Sequence, residues 1–171
     1  VRVIITDGSE PIGNGIGPAL EARDVLWVLK RDKKRPLDLE LKSIKMAGIM
    51  LEMAGFRNGV KKAREILENG LAYKKMQDII KAQDGDPNIE SDNIKIGKFS
   101  FTLNAKKTGI VKDVNNRHVS KIARIAGAPS DKGSGIYLYV HEGDKVKKGD
   151  KLFTIYAHNK TELKFAVDSL K

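Results

Sequence analysis

The sequence predicts a mixed α/β chain, with a helical first half followed by a smaller α/β (α+β) part. Three observations carry that prediction. A glycine-rich turn over residues 7–17 runs directly into apolar residues at helical spacing. That spacing persists to residue 86, whereas Phe99, Phe101 and Leu103 alternate with polar neighbours, as in a half-exposed strand. Between the two lies Asp84-Gly85-Asp86-Pro87-Asn88, which is turn chemistry. The expected division is therefore into residues 1–86 and residues 87–171.

Val3-Ile4-Ile5 reads as a short strand ahead of the glycines. Leu20, Ala22, Val25, Leu26 and Leu29 mark a first helix. It ends before Pro36, because proline and its predecessor disfavour helix continuation. Leu37 to Ala54 form a second helix so rich in apolar residues (Leu41, Ile44, Ala47, Ile49, Leu51, Met53) that burial on more than one side is expected. Gly55 supplies its stop. Val60, Ala63, Ile66 and Leu67 mark a third helix, ending at Asn69-Gly70. Leu71 to Gln83 form a fourth, with Tyr73, Met76, Ile79 and Ile80 inward. Residues 84–97 read as a linker. Beyond it come strands at Phe99–Leu103, Gly109–Val111, Ile136–Val140 and Lys151–Tyr156, and a short helix around Val119–Ala126. A terminal amphipathic helix carries Leu163, Ala166, Val167 and Leu170.

An apolar fraction of 40% is enough to build a core. The absence of cysteine excludes a disulfide framework and a thiolate metal centre. No apolar run is long enough for a transmembrane helix, and the start shows no secretory pattern, so no membrane partner is expected. The net charge of +10 is spread over the whole chain, with acids between the lysines and few aromatics among them. That is a solvated surface rather than a nucleic-acid footprint, and no nucleic-acid partner is expected. A lysine-rich, cysteine-free composition suits a cytoplasmic protein of a thermophile. The chain starts at Val1, without Met, inside the first apolar run. It is expected to be a C-terminal piece of a longer protein.

Gly13-x-Gly15-x-Gly17 invites a dinucleotide-binding reading, but the third position of that fingerprint falls on Pro18. No strand-borne acid follows about twenty residues on. Two readings remain. The glycines form a tight connection, or their carbonyls cradle a cation that an acid on the following helix completes. His118, His141 and His158 are too scattered for a metal motif and read as structural or exposed. Glu40, Glu52, Glu65 and Glu68 read as solvated helix residues, and no acid–base dyad is assigned. A second block, Glu142-Gly143-Asp144-x-Val146-x-x-Gly149-Asp150-x-Leu152, sits between two strands. Its glycines suit turns of positive φ, with Val146 and Leu152 plugging a small sandwich.

The segment DGSEPIGNGIGPALEARDVL resembles one found late in the nucleoside and nucleotide phosphorylases of the thymidine phosphorylase family, in the form of their archaeal branch. The second block resembles the half-barrel of biotinyl and lipoyl carriers, and also occurs in the C-terminal domain of that phosphorylase family. No carrier lysine set between small or methionine residues is present, so the structural reading is preferred. The resemblance implies part of a large lobe followed by an α/β-hammerhead, barrel-sandwich-like domain. It implies phosphorolysis of AMP to adenine and ribose 1,5-bisphosphate, with phosphate as co-substrate and CMP and UMP as further substrates. Thymidine phosphorolysis is the alternative, and a non-enzymatic binding module a second one. It also implies a homo-oligomer.

Family members carry a P-L-G-x-x-x-G-x-A-L-E-x-x-[ED] block and bind a cation, often potassium, through two loop carbonyls and the last acid. Those positions fall on Ile12, Gly15 and Asp24, the last one methylene shorter than the usual Glu. A solvated helix residue is the other reading of Asp24. The family's phosphate loop, base-recognising residues and proton donor lie upstream of this segment. No catalytic residue is therefore assigned here, substrate-binding residues stay unknown, and the chain alone is expected to fold without activity.

Overall fold

A computed structural model describes residues 1–170. The chain divides into two compact units, one of residues 1–21 with 95–171 and one of residues 22–94. Contacts thus group the glycine-rich segment with the distant C-terminal part, a grouping that differs from the contiguous split at residue 86. The reason is strand pairing. Gly15–Ile16 (β1) lies antiparallel against Gly135–Leu138 (β4), with Ile16 opposite Ile136.

In the first unit, β1, β4, Lys151–Ala157 (β6) and Phe99–Asn104 (β2) form an antiparallel sheet in the order β1-β4-β6-β2. Gly109–Ile110 (β3) and Lys145–Val146 (β5) pair as a separate two-stranded ribbon. Inward residues recur every second position, as the strand pleat requires. Ile136, Leu138, Ile155 and Ala157 are buried. They pack against Ala123 and Ala126, of helix Asn116–Ile125 (α5) and its C-cap, and against Ala166 of helix Lys160–Asp168 (α6). Alanine on the helices lets them sit close to the sheet. Asn115 caps α5 by accepting from the amides of Arg117 and His118, and Asn159 caps α6 by accepting from Glu162.

The polar positions of the strands are not simply solvated. Thr154 is buried, its hydroxyl 2.8 Å from that of Thr102 and 3.2 Å from that of Tyr139. A buried hydroxyl without a partner costs free energy, and this cross-strand chain supplies partners.

The second unit is helical. It contains most of helix Pro18–Leu29 (α1), Leu37–Met53 (α2), Gly59–Glu68 (α3) and Leu71–Ala82 (α4). Val28, Ile44, Ala63 and Leu67 form its buried cluster. Helices α2 and α3 cross closely, since a Cβ on Gly48 would stand 2.5 Å from Val60 Cα.

Several expectations are corrected. Residues 3–5 form no strand, and Val3 and Ile5 are exposed. An extended run becomes a strand when another edge pairs with it, and among the described residues none does. Helix α2 buries one side within this chain, while Leu37, Leu41, Met46, Met50 and Met53 are exposed. Of the inward set on α4, Ile79 is exposed and none is fully buried. The expected linker is irregular apart from a 3₁₀ turn at Ser91–Asn93, yet it is tied down. Arg23 donates to the carbonyls of Ile94 (2.6 Å) and Asp92 (3.1 Å), and Lys30 and Lys34 pair with Glu90 (2.6 Å) and Asp92 (2.7 Å). Burial opposes the charge on Lys30, and its bonds to Glu90 and Tyr73 outweigh that and raise its pKa.

Candidate functional site

The glycine-rich loop owes its shape to residues far away in sequence. Gly13 and Gly17 have φ of 72° and 126°, a region that glycine enters without strain. A Cβ on Gly17 would also meet the Ser134 carbonyl oxygen at 2.4 Å, so the loop lies tight against β4. The loop ends by starting α1. Pro18 takes the first helical position, where its missing N–H costs nothing. The Glu21 carboxylate accepts from the Gly17 amide at 3.0 Å. The Lys132 carbonyl takes the free N–H of Ala19 at 2.9 Å.

Five further contacts hold the loop from the C-terminal side. Leu138 N–H donates to the Asn14 carbonyl at 2.7 Å. The Asn14 side chain meets Tyr137 Oη at 3.3 Å and His141 Nε2 at 2.9 Å. The Glu10 carboxylate accepts from the Glu142 amide at 3.1 Å and lies 3.2 Å from His141 Nδ1. His141 was read from the sequence as structural or exposed. It is half-buried and bridges Glu10 and Asn14. Sequence reasoning missed this role because its partners stand 127 and 131 positions away, beyond any local pattern.

The residues assigned to a cation are placed as follows. Ile12 and Gly15 lie on this loop, Ile12 exposed and Gly15 buried. Gly15 is glycine for a close approach, since a Cβ there would stand 2.5 Å from the Leu20 carbonyl carbon. Asp24, in the second turn of α1, is 1% exposed. It is therefore not a solvated helix residue. A buried carboxylate is costly unless opposite charge or hydrogen bonds offset it. Among the described residues no group of three or more His, Asp or Glu could hold a metal ion, so any cation here would need backbone oxygens.

Of the four glutamates read as solvated, Glu40 is not. Its side chain is 4% exposed, with Oε1 against Arg31 Nη1 and Oε2 2.5 Å from Arg35 Nε. Burial alone would raise its pKa. The hydrogen bonds and charges of Arg31 and Arg35 outweigh burial and hold it below the ordinary carboxylate value. The trio is structural: it joins the turn after α1 to the first turn of α2.

At the C-terminal block, Gly143 and Gly149 have φ of 88° and 95°, as the turn reading requires. Val146 is buried and Leu152 half-buried. Among the described residues no helix is long and apolar enough to cross a membrane.

Residues 110–171 match the family model described as the pyrimidine nucleoside phosphorylase C-terminal domain. Along 98% of its length the chain is similar to proteins named AMP phosphorylase. It is 50% identical over 170 residues to one from Thermococcus kodakarensis and 48% identical over 170 residues to one from Pyrococcus abyssi. A third, named AMP phosphorylase 2, from Archaeoglobus fulgidus, is 44% identical over 169 residues. The chain spans about a third of the length of each relative, 34%, 34% and 33%. The similarity runs through both compact units. On these findings residues 110–171 are similar to the pyrimidine nucleoside phosphorylase C-terminal domain, and nearly the whole chain is similar to part of proteins named AMP phosphorylase.

Proposed function

We propose that this chain is the C-terminal third of a cytoplasmic AMP phosphorylase. In that reaction a phosphate oxygen bonds to the anomeric carbon of AMP while the bond to N9 breaks. Adenine leaves with a proton, and ribose 1,5-bisphosphate forms. The observation that carries this reading is identity of 43–50% to proteins named AMP phosphorylase, sustained over almost the whole chain. AMP and inorganic phosphate are then the substrates, with CMP and UMP as further candidates. The relatives' names favour the nucleotide over thymidine.

Within that enzyme these residues act as support rather than as chemistry. The glycine loop is held in place by His141, Glu10 and Asn14. The carbonyls of Ile12 and Gly15 and the Asp24 carboxylate are oxygen ligands of the kind a potassium ion takes. What supports this assignment is the likeness of residues 11–24 to the family's cation-binding block. The reacting groups lie elsewhere in the longer protein. The enzyme works as a homo-oligomer, and the 171 residues alone are inactive.

The deciding experiment supplies the full-length protein with phosphate and, in parallel, AMP, CMP, UMP and thymidine, and follows free base. Release from AMP but not thymidine is expected. Release from thymidine alone would replace this reading with nucleoside phosphorolysis.

A further inference from the structure

The helical unit contains an apolar cleft of about 490 Å³. Its walls come from α1 (Val25, Val28), α2 (Ala47, Met50) and α3 (Ile66), with Ala72 of α4 at one end. Ser43 is the one polar residue in its lining among the described residues. The cleft is open, since Ser43, Ala47 and Met50 are exposed, Met50 at 69%. Met46 and Met53 of α2 and Phe56 just after it are exposed as well. Met46, Met50 and Met53 recur at helical spacing on α2, and an exposed apolar face of this kind marks a contact, not a solvated face.

We infer that the cleft receives an apolar segment of the longer protein's own chain, lying outside these 171 residues and presenting aliphatic or aromatic side chains without charge. Two observations select that occupant. The relatives that share these helices, at 50% and 48% identity, carry about two thirds of their length outside the match. The surface is also concave. A two-fold contact between copies sets the same patch on both sides. Two facing hollows would leave the volume unfilled, which close-packed interiors avoid. The apolar richness of α2 then has its explanation, because its second side is buried by chain not contained here.

This inference rests on the reading of the chain as part of a longer protein. Its test uses that full-length protein with other cysteines replaced; these 171 residues contain none. Ser43→Cys places a near-isosteric thiol in the cleft, and Ala47→Cys a second. Lys45→Cys, on the exposed side of the same helix, is the control. With a maleimide probe, both cleft thiols should react at least about tenfold more slowly than the control, at every protein concentration, because labelling then waits on local opening. Equal, fast labelling at all three positions would overturn the inference. Protection that disappears on dilution would also overturn it, by assigning the cleft to a second copy. Phosphorolysis measured on the same preparations is read separately, so loss of the AMP assignment and loss of this contact are distinguishable.

Discussion

His141 Nδ1 lies 3.2 Å from the Glu10 carboxylate and so joins the turn after β4 to the glycine-rich loop, 131 positions earlier. Its other nitrogen holds Asn14 at 2.9 Å. Replacing His141 with Ala should cost about 1 kcal/mol, the usual net worth of such hydrogen bonds. The effect should be local. Amide hydrogen exchange at Gly13–Ile16 should quicken, while exchange in α2 and α3 stays unchanged. Uniform acceleration would show that the bridge does not act on the loop.

The Glu40 trio makes a sharper stability prediction. Glu40→Gln leaves Arg31 and Arg35 without their carboxylate and should cost about 3 kcal/mol by urea unfolding at neutral pH. The pH dependence follows from the depressed pKa. The unfolded carboxyl titrates near its ordinary value of 4.5, and the folded one lower. Between those values the unfolded chain binds more protons, so stability rises with pH. The contribution is present above pH 4.5 and is lost as pH falls through the folded value. The Gln variant should lack this slope.

Gly48 and Gly59 set the closeness of α2 to α3. A Cβ on Gly59 would collide with the Gly48 carbonyl oxygen, and the obstacle is backbone, which cannot swing aside. Gly59→Ala should therefore destabilise by about 1–3 kcal/mol despite alanine's better helix propensity. Gly55→Ala meets no atom, and its cost comes from its φ of 93° alone. Thermal unfolding of the two variants separates packing from backbone strain.

Asp24→Asn tests the cation assignment in the full-length protein. It keeps size and burial but removes the charge. If potassium binds there, the concentration for half-maximal activation should rise by about tenfold or more, the scale on which metal sites respond to lost partners. An unchanged potassium response would assign the buried Asp24 to structure alone.

Much of the fold was legible because local rules decide it. The four helices after the glycine loop begin and end where Pro18, Pro36, Gly55 and Gly70 place them. Strands β2 and β6 follow from alternation, and the turns of the second block from Gly143 and Gly149. The same rules misjudged Val3–Ile5, which has apolar residues but no partner edge among the described residues. They also misjudged Glu40, whose burial depends on two arginines brought to it by the turn after α1. Asp24 was left between solvent and cation because its position on α1 does not say which way that face looks.

The sequence by itself determined the helices and the longer strands, and the resemblance to phosphorylases. Both rest on near neighbours: periodicity, caps, turn residues and a contiguous block of loop and helix. The tertiary structure alone decided which segments share a unit, that Asp24 is buried, and that His141 holds the loop. The first and the last depend on pairings across 120 positions or more, as between Ile16 and Ile136, and the burial of Asp24 on packing that local periodicity does not report. No local window contains both partners of such a contact.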